Sequence, residues 1–173
     1  MRFFTNIKTT KGTVRVRLDA KAAAVNVNNF VFLADQHFYK CNVFHRVIPG
    51  FMDQTGDPTA TGAGGPGYVV PSNEFPKAAA KFKNDYPSGT VAMANSCPPA
   101  DTPAQCPKTN GSQFFIMASN DNPLPAKYTI IGKVVAGMGA VLAINSQGNA
   151  NPNANGVPPL VTNRVVSISI STT

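Results

Sequence analysis

The sequence predicts a mainly β fold, an antiparallel barrel or sandwich capped by two helices. Three observations carry this. Apolar residues fall in many short runs punctuated by turns, with 14 Gly and 15 Pro among 173 residues. Only two segments have helical periodicity. Charged residues make up 13% of the chain, about half the usual share, too few for a coiled coil or a charge-laced bundle.

Phe3 to Thr10 and Thr13 to Leu18 read as two strands around a turn at Lys11-Gly12. Val14, Val16 and Leu18 alternate with Arg15 and Arg17, the pattern of a half-buried strand. Ala22 to His37 reads as a helix, with Val27, Phe30, Val31 and Ala34 on one stripe and Phe38 extending it. The middle of the chain offers short apolar runs: Val43–Ile48, Phe51–Gln54, Thr90–Ala94, Phe114–Ala118 and Tyr128–Val135. A second helix is expected over Met138 to Asn145, with Met138, Val141 and Leu142 on one face. Asn149 to Pro159 is an Asn/Pro-rich loop. In the final strand, Val166, Ile168 and Ile170 alternate with Ser167, Ser169 and Ser171.

Residues 1–173 are expected to form one domain, since a chain of this length buries roughly 70% of its extended surface. Hydrophobic residues at 43% exclude a disordered chain. No apolar run approaches the ~18–20 residues of a membrane span. Met1 to Lys8 alternates and forms no signal-peptide block. The expected compartment is therefore the cytoplasm, or an extracytoplasmic space if the chain is cut from an exported or anchored parent. The net charge of +7 raises nucleic acid as a partner. However, the densest basic cluster is only Lys77, Lys81 and Lys83, and no stretch interleaves Arg with aromatics. The charge reads as solvated surface, and no nucleic-acid partner is expected.

The cysteines are Cys41, Cys97 and Cys106, and the histidines His37 and His45. Their spacing makes no zinc site, and no metal is expected. Cys97 and Cys106 bracket a polar, Pro-rich loop. They read either as free thiols or as a disulfide worth roughly 2–3 kcal/mol by loop entropy. A bridge implies an oxidising compartment, against the absent signal sequence. Cys41 reads as a packed or surface thiol.

Several motifs are set aside. Gly62, Gly64 and Gly67 match G-x-G-x-x-G, but the stretch leads into Tyr68-Val69-Val70-Pro71 and opens no helix, so a tight surface turn is the better reading. Asn110-Gly111-Ser112 matches a glycosylation sequon, a short pattern that arises often by chance. No G-x-S-x-G elbow and no close carboxylate pair is present.

Three segments carry chemistry: Phe44 to Asp57, Met93 to Ser96, and Asn110 to Ile116. Alternation places Phe44, Arg46 and Ile48 on one face, and a bend at Pro49-Gly50 brings Phe51 and Met52 toward it. Gln113 and Phe115 likewise share a face. The expected surface combines a fixed cation, several amides and an apolar pocket. Each residue alone has a plainer reading: Phe51, Met52 and Phe115 as core, Arg46 as a salt-bridged strand residue, His45 as a hydrogen-bonded structural histidine.

Together the segments resemble the cyclophilin family of peptidyl-prolyl cis–trans isomerases. Phe44-His45-Arg46-Val47-Ile48-Pro49-Gly50-Phe51-Met52 and Asn110-Gly111-Ser112-Gln113-Phe114-Phe115-Ile116 are long, near-literal motifs, and the likeness runs from Phe3 to Ile170. The resemblance implies a closed eight-stranded antiparallel barrel with two helices and a substrate groove on its outer surface. It implies Arg46 as the catalytic arginine and Phe51, Met52, Phe115 and Leu124 as the proline pocket. It implies Gln54, Asn95 and Gln113 as holders of the peptide backbone, Ala94 and Ser96 along the groove, and Gly62 in the neighbouring glycine-rich turn. The implied activity is isomerisation of X-Pro bonds in peptides and unfolded proteins by a cofactor-independent monomer. A binding module on the same fold is the alternative reading.

The sequence departs from the family pattern at three places. Pro123 precedes Leu124 where the family often has Trp, and the chain has no Trp, which weakens the expected affinity for cyclosporin. Tyr128 stands where many members line the pocket with histidine. The segment Cys97–Pro107 is an insertion beside Asn95.

Overall fold

In a computed structural model, which describes residues 1–74, 86–98, 101, 105–106, 108–120 and 124–173, the predicted N-terminal hairpin forms from β1 (Phe3–Thr9) and β2 (Gly12–Leu18). Their register pairs Ile7 with Val14 and Thr5 with Val16, and all four side chains are buried. The exposed positions between them carry Arg15, Arg17 and Lys8. One wet and one dry face is the condition under which alternation is visible in a sequence.

The remaining elements are α1 (Ala24–Asp35), β3 (Arg46–Ile48), β4 (Met52–Thr55), β5 (Val70–Pro71), β6 (Thr90–Asn95), β7 (Lys108–Met117), β8 (Ile130–Ala136), α2 (Met138–Asn145) and β9 (Val165–Thr172). The strands form one antiparallel sheet in the order β3-β4-β7-β6-β8-β2-β1-β9, with β5 paired to β7. β5 was not expected: it is two residues long, ends in Pro71 and has no periodicity to read.

The fold is mainly β with two helices, as predicted, but its closure is looser than expected. The end strands β3 and β9 share no ladder. A single antiparallel bridge between Val43 and Arg164 spans the seam, held by Phe44 N–H on Asn163 O (2.9 Å) and Val165 N–H on Asn42 O (2.9 Å).

The curled sheet is buried on both faces along β6 and β7. Val91, Met93, Phe114 and Ile116 join the inner core, where Phe30 of α1 and Val141 of α2 also pack. The intervening Ala92, Phe115 and Met117 form a second cluster outside it, with Met52 and Tyr86. Strands dry on both sides read as apolar runs rather than alternations.

α1 is shorter than the predicted Ala22–His37, and its stripe is part polar, with Asn26 and Asn29 buried beside Val27 and Phe30. Its N-cap residue, Ala23, has no capping side chain. Glu74 caps the helix from a distant loop instead, accepting the Val25 and Asn26 N–H groups at 2.9 Å each. A carboxylate there satisfies orphan donors and opposes the helix dipole.

Phe44 does not share a face with Arg46. Residues 43–45 are not a regular strand, and Phe44 lies in the inner core with Val47 while Ile48 packs on the outer cluster. Asn110 of the candidate sequon is fully buried inside β7, so the motif is no glycosylation acceptor. Among the described residues no helix is long and apolar enough to cross a membrane. Lys77, Lys81, Lys83 and Pro123 lie outside the described residues.

Candidate active site

Strand register assembles the site. Arg46 on β3 pairs with Gln54 on β4, Gln54 with Phe115 on β7, and Phe115 with Ala92 on β6. One cross-strand row therefore carries a cation, an amide and an aromatic ring in sequence. The adjacent row runs Ile48, Met52, Met117. Facing positions two residues apart point the same way, so both rows lie on the outer face.

A cavity of about 310 Å³ opens over these rows. Phe51, Met52, Phe115, Leu124 and Tyr128 contribute to its apolar wall. Arg46, Gln54, Gly62, Ala94 and Asn95 line it as well. Ser96 and Gln113 line an adjoining cavity of about 840 Å³, which shares Gln54, Gly62, Ala94 and Asn95 with the first. Every sequence-predicted site residue thus borders one continuous groove.

Hydrogen bonds link the polar residues in a chain. Arg46 Nη1 donates to Gln54 Oε1 (3.2 Å), and Gln54 Nε2 to Gln113 Oε1 (2.9 Å). Gln113 Nε2 donates to Gly62 O and Gly64 O, both at 2.9 Å. Beneath the glycine turn sits Asp57, whose carboxylate accepts the N–H groups of Thr59, Gly62 and Gly64 at 2.7, 2.6 and 3.1 Å. A Cβ on Gly64 would meet Asp57 Oδ1 at 1.9 Å, so only glycine lets the turn close on this carboxylate. Burial raises the Asp57 pKa, but its hydrogen bonds lower it more, to about 2, so the anchor is ionised at neutral pH.

Burial also sets the other charges. It lowers the pKa of His45, outweighing the nearby Asp57, so this histidine is neutral at pH 7. It lowers that of Arg46 as well, though a guanidinium keeps its proton. It raises that of Tyr128 against the opposing pull of Arg46, leaving a neutral phenol in the wall. The Tyr128 ring meets Phe115 edge-on (centroids 5.5 Å, 87°), and the Tyr128 backbone N–H donates to Tyr86 Oη at 2.9 Å.

The side chain of Asn95 is engaged within the protein: Nδ2 donates to Lys127 O (3.0 Å) and Oδ1 accepts Cys97 N–H (3.2 Å). Cys97 and Cys106 form a disulfide, which links the two ends of the insertion beside Asn95. Ser72 Oγ ties it to the sheet through Cys106 O. Cys41 is free and exposed.

Sequence reasoning missed three wall residues. His45 and Thr61 line the first cavity, and so does Val157 from the Asn/Pro-rich loop. Asn155, in the same loop, grips Arg46. The visible signal was the turn-forming pair Asn155-Gly156, which marks a local bend and says nothing about a distant arginine.

The profile of the family described as cyclophilin type peptidyl-prolyl cis-trans isomerase/CLD matches residues 4–169. The chain belongs to the cyclophilin-type peptidyl-prolyl cis-trans isomerase family. Among curated cyclophilins, it is 40% identical over 142 residues to peptidyl-prolyl cis-trans isomerase cyp15 of Rhizopus delemar, an alignment spanning 81% of this chain and 20% of that protein. It is 38% identical over 135 residues to peptidyl-prolyl cis-trans isomerase-like 1 of Neurospora crassa, covering 78% of this chain and 76% of the relative. The chain thus spans about a fifth of one relative and about three quarters of the other. A crystal structure of a cyclophilin type peptidyl-prolyl cis-trans isomerase from Cryptosporidium parvum superposes with a TM-score of 0.82 at 28% identity, covering 100% of this chain and 99% of that one. The same protein in the presence of the dipeptide Ala-Pro superposes with a TM-score of 0.80 at 28% identity, covering 98% and 99%.

Proposed function

We propose that this cyclophilin accelerates rotation about X-Pro peptide bonds, with Arg46 as the catalytic residue. Rotating a peptide C–N bond costs ~18–20 kcal/mol because amide resonance is lost. Before proline the two isomers lie close in energy but exchange only over tens to hundreds of seconds. No bond breaks, so the site needs neither nucleophile nor cofactor. It needs a group that favours the twisted amide over both planar forms.

In the twisted state the proline nitrogen regains its lone pair. A fixed guanidinium beside it donates to that lone pair, and to no comparable acceptor in either planar form. Arg suits the task because its fork is rigid and permanently charged. The apolar wall of Phe51, Met52, Phe115 and Leu124 holds the pyrrolidine ring, and Gln54 with the Ala94–Ser96 backbone steadies the flanking peptide. The observation that carries this reading is the placement of Arg46 at the rim of an apolar cavity, one strand from Gln54. Binding of proline-containing peptides and unfolded chains is supported by the neighbour studied with Ala-Pro. Of the two compartments, the Cys97–Cys106 bridge supports an oxidising one.

Arg46→Ala tests the assignment. The variant is expected to fold, since Arg46 is only partly buried. Isomerisation of an Ala-Pro peptide, followed by NMR exchange, is expected to fall at least a hundredfold, roughly two factors of ten at ~1.4 kcal/mol each. Turnover near that of the wild type would refute the role.

A further inference from the structure

Resting on that reading, we infer that Asn155 is a positioning residue, a second grip that aims the Arg46 guanidinium. The loop around it is fastened to the edge of the sheet. Asn149 N–H donates to Val47 O (3.0 Å), and Val47 N–H donates to Gly156 O (3.0 Å). The loop thereby covers the outer edge of β3, the last strand of the sheet path. The contact is close: a Cβ on Gly156 would lie 2.6 Å from Ile48 Cγ1 and 2.9 Å from Val47 O.

This docking places Asn155 beside Arg46 with a positive φ of 50°, a conformation asparagine tolerates better than most residues. Arg46 Nε donates to Asn155 O at 3.1 Å, and Nη2 to Asn155 Oδ1 at 2.8 Å. With Nη1 on Gln54, the fork is held at all three nitrogens. Of the five N–H donors of a guanidinium, the three bonds leave one on each terminal nitrogen for substrate. A donor that must meet a lone pair present only in the twisted state gains from being fixed beforehand. Gln54 alone leaves the fork free to swing about its side; Asn155 closes the opposite side.

Asn155→Gly isolates the effect. Glycine keeps the positive φ and the carbonyl that receives Nε, and of the two Arg46 contacts at this residue it removes only the one to Oδ1. For an Ala-Pro peptide, kcat is expected to fall about threefold to tenfold, the share of one solvent-accessible charged hydrogen bond, with KM unchanged because the proline wall is untouched. The Arg46 Nη resonances in side-chain NMR are expected to collapse toward free rotation while the Nε–H signal persists. Backbone amides of Val47 and Asn149 and the melting temperature should stay at wild-type values. Arg46→Ala is measured alongside. If it retains turnover, the catalytic role of Arg46, on which this inference rests, fails. If it loses turnover while Asn155→Gly keeps wild-type kcat, the positioning role alone is overturned. A kcat loss accompanied by shifted Val47 and Asn149 amides and a lower melting temperature would also overturn it, since Asn155 would then be holding the loop and not the guanidinium.

Discussion

At the scale of single residues, Asp53 stands out because it lies between two groove residues yet faces the other way. Met52 and Gln54 line the cavity, while Asp53 is fully buried. Asn145 of α2 donates Nδ2 to Asp53 Oδ1 at 2.8 Å and to Ile48 O at 2.9 Å, and its Oδ1 receives Gly50 N–H at 2.8 Å. One side chain thus fastens the β3–β4 bend to α2. Asp53 Oδ2 has no partner among the described residues. Burial raises the Asp53 pKa from 3.8 to about 7, with the Asn145 bond pulling the other way. Between these values the folded protein holds a proton that the unfolded chain has released, so stability falls as pH rises from about 4 to 7, by at most ~1.4 kcal/mol per unit. Asp57 acts in the opposite sense and lower on the scale: its contribution is complete above about 4 and is lost as pH falls toward 2. Asp53→Asn mimics the protonated acid. Denaturant titrations at pH 5 and 8 are expected to show the wild type losing stability relative to the variant between them, since the lowered His45 pKa, which favours folding as pH rises, acts on both proteins alike. The same pH dependence in both proteins would contradict the assignment.

At the scale of elements, the disulfide loop and the strands around it make separable contributions. The bridge joins residues nine apart, which by loop entropy is worth roughly 2–3 kcal/mol. It also backs the groove, since Cys97 N–H holds Asn95 and Cys106 O receives Ser72. Replacing both cysteines by serine is therefore expected to lower stability by that amount and to raise KM for an X-Pro peptide. It should leave kcat near wild type, because Arg46 is positioned by β3, β4 and the Asn155 loop. A lowered kcat at constant KM would mean the loop acts on the chemistry instead. The same elements show what the sequence could and could not disclose. β1 and β2 are legible because polar and apolar positions alternate; in β9 Ile168 and Ile170 pack on the core as expected, but Val166 is exposed and Val165 is buried, because the ladder with β1 shifts register at Lys8/Thr9. The apolar run Phe114–Ala118 marks only the second half of β7, which spans Lys108–Met117. The strand's first half is polar, yet Asn110 and Ser112 are buried: Asn110 Nδ2 bonds Asn26 and Thr129, and Ser112 Oγ bonds Gly56 O. Partners this distant in sequence leave no local mark. The groove residues were legible through family motifs, whereas Asn155 and Val157 reach the site only because the loop docks on Val47.

At the scale of the whole molecule, the open strand path bears on how the site moves. β2 lies between β1 and β8, in an unbroken ladder with β1 and a ladder with β8 that shifts register at Arg15/Val16, and Val14 and Val16 are fully buried. Among the described residues β3 has a ladder on one side only, with the Asn149–Gly156 loop and the Val43–Arg164 bridge completing its surroundings. Cooperative units with fewer ladder bonds open at lower free energy than the core. The seam is therefore expected to separate before the β1–β2–β8 region, letting β3 shift as a unit, with the Arg46 fork still gripped by Gln54 and Asn155, while the inner core stays packed. Native-state hydrogen exchange reads this directly. The amides of Phe44 and Val165, which make the bridge, should exchange through a local opening insensitive to low denaturant. Amides of β2 should exchange only through global unfolding. Equal opening free energies for both sets, with the same denaturant dependence, would mean that one bridge closes the barrel as firmly as a ladder does, and that the groove is rigid at its Arg46 rim.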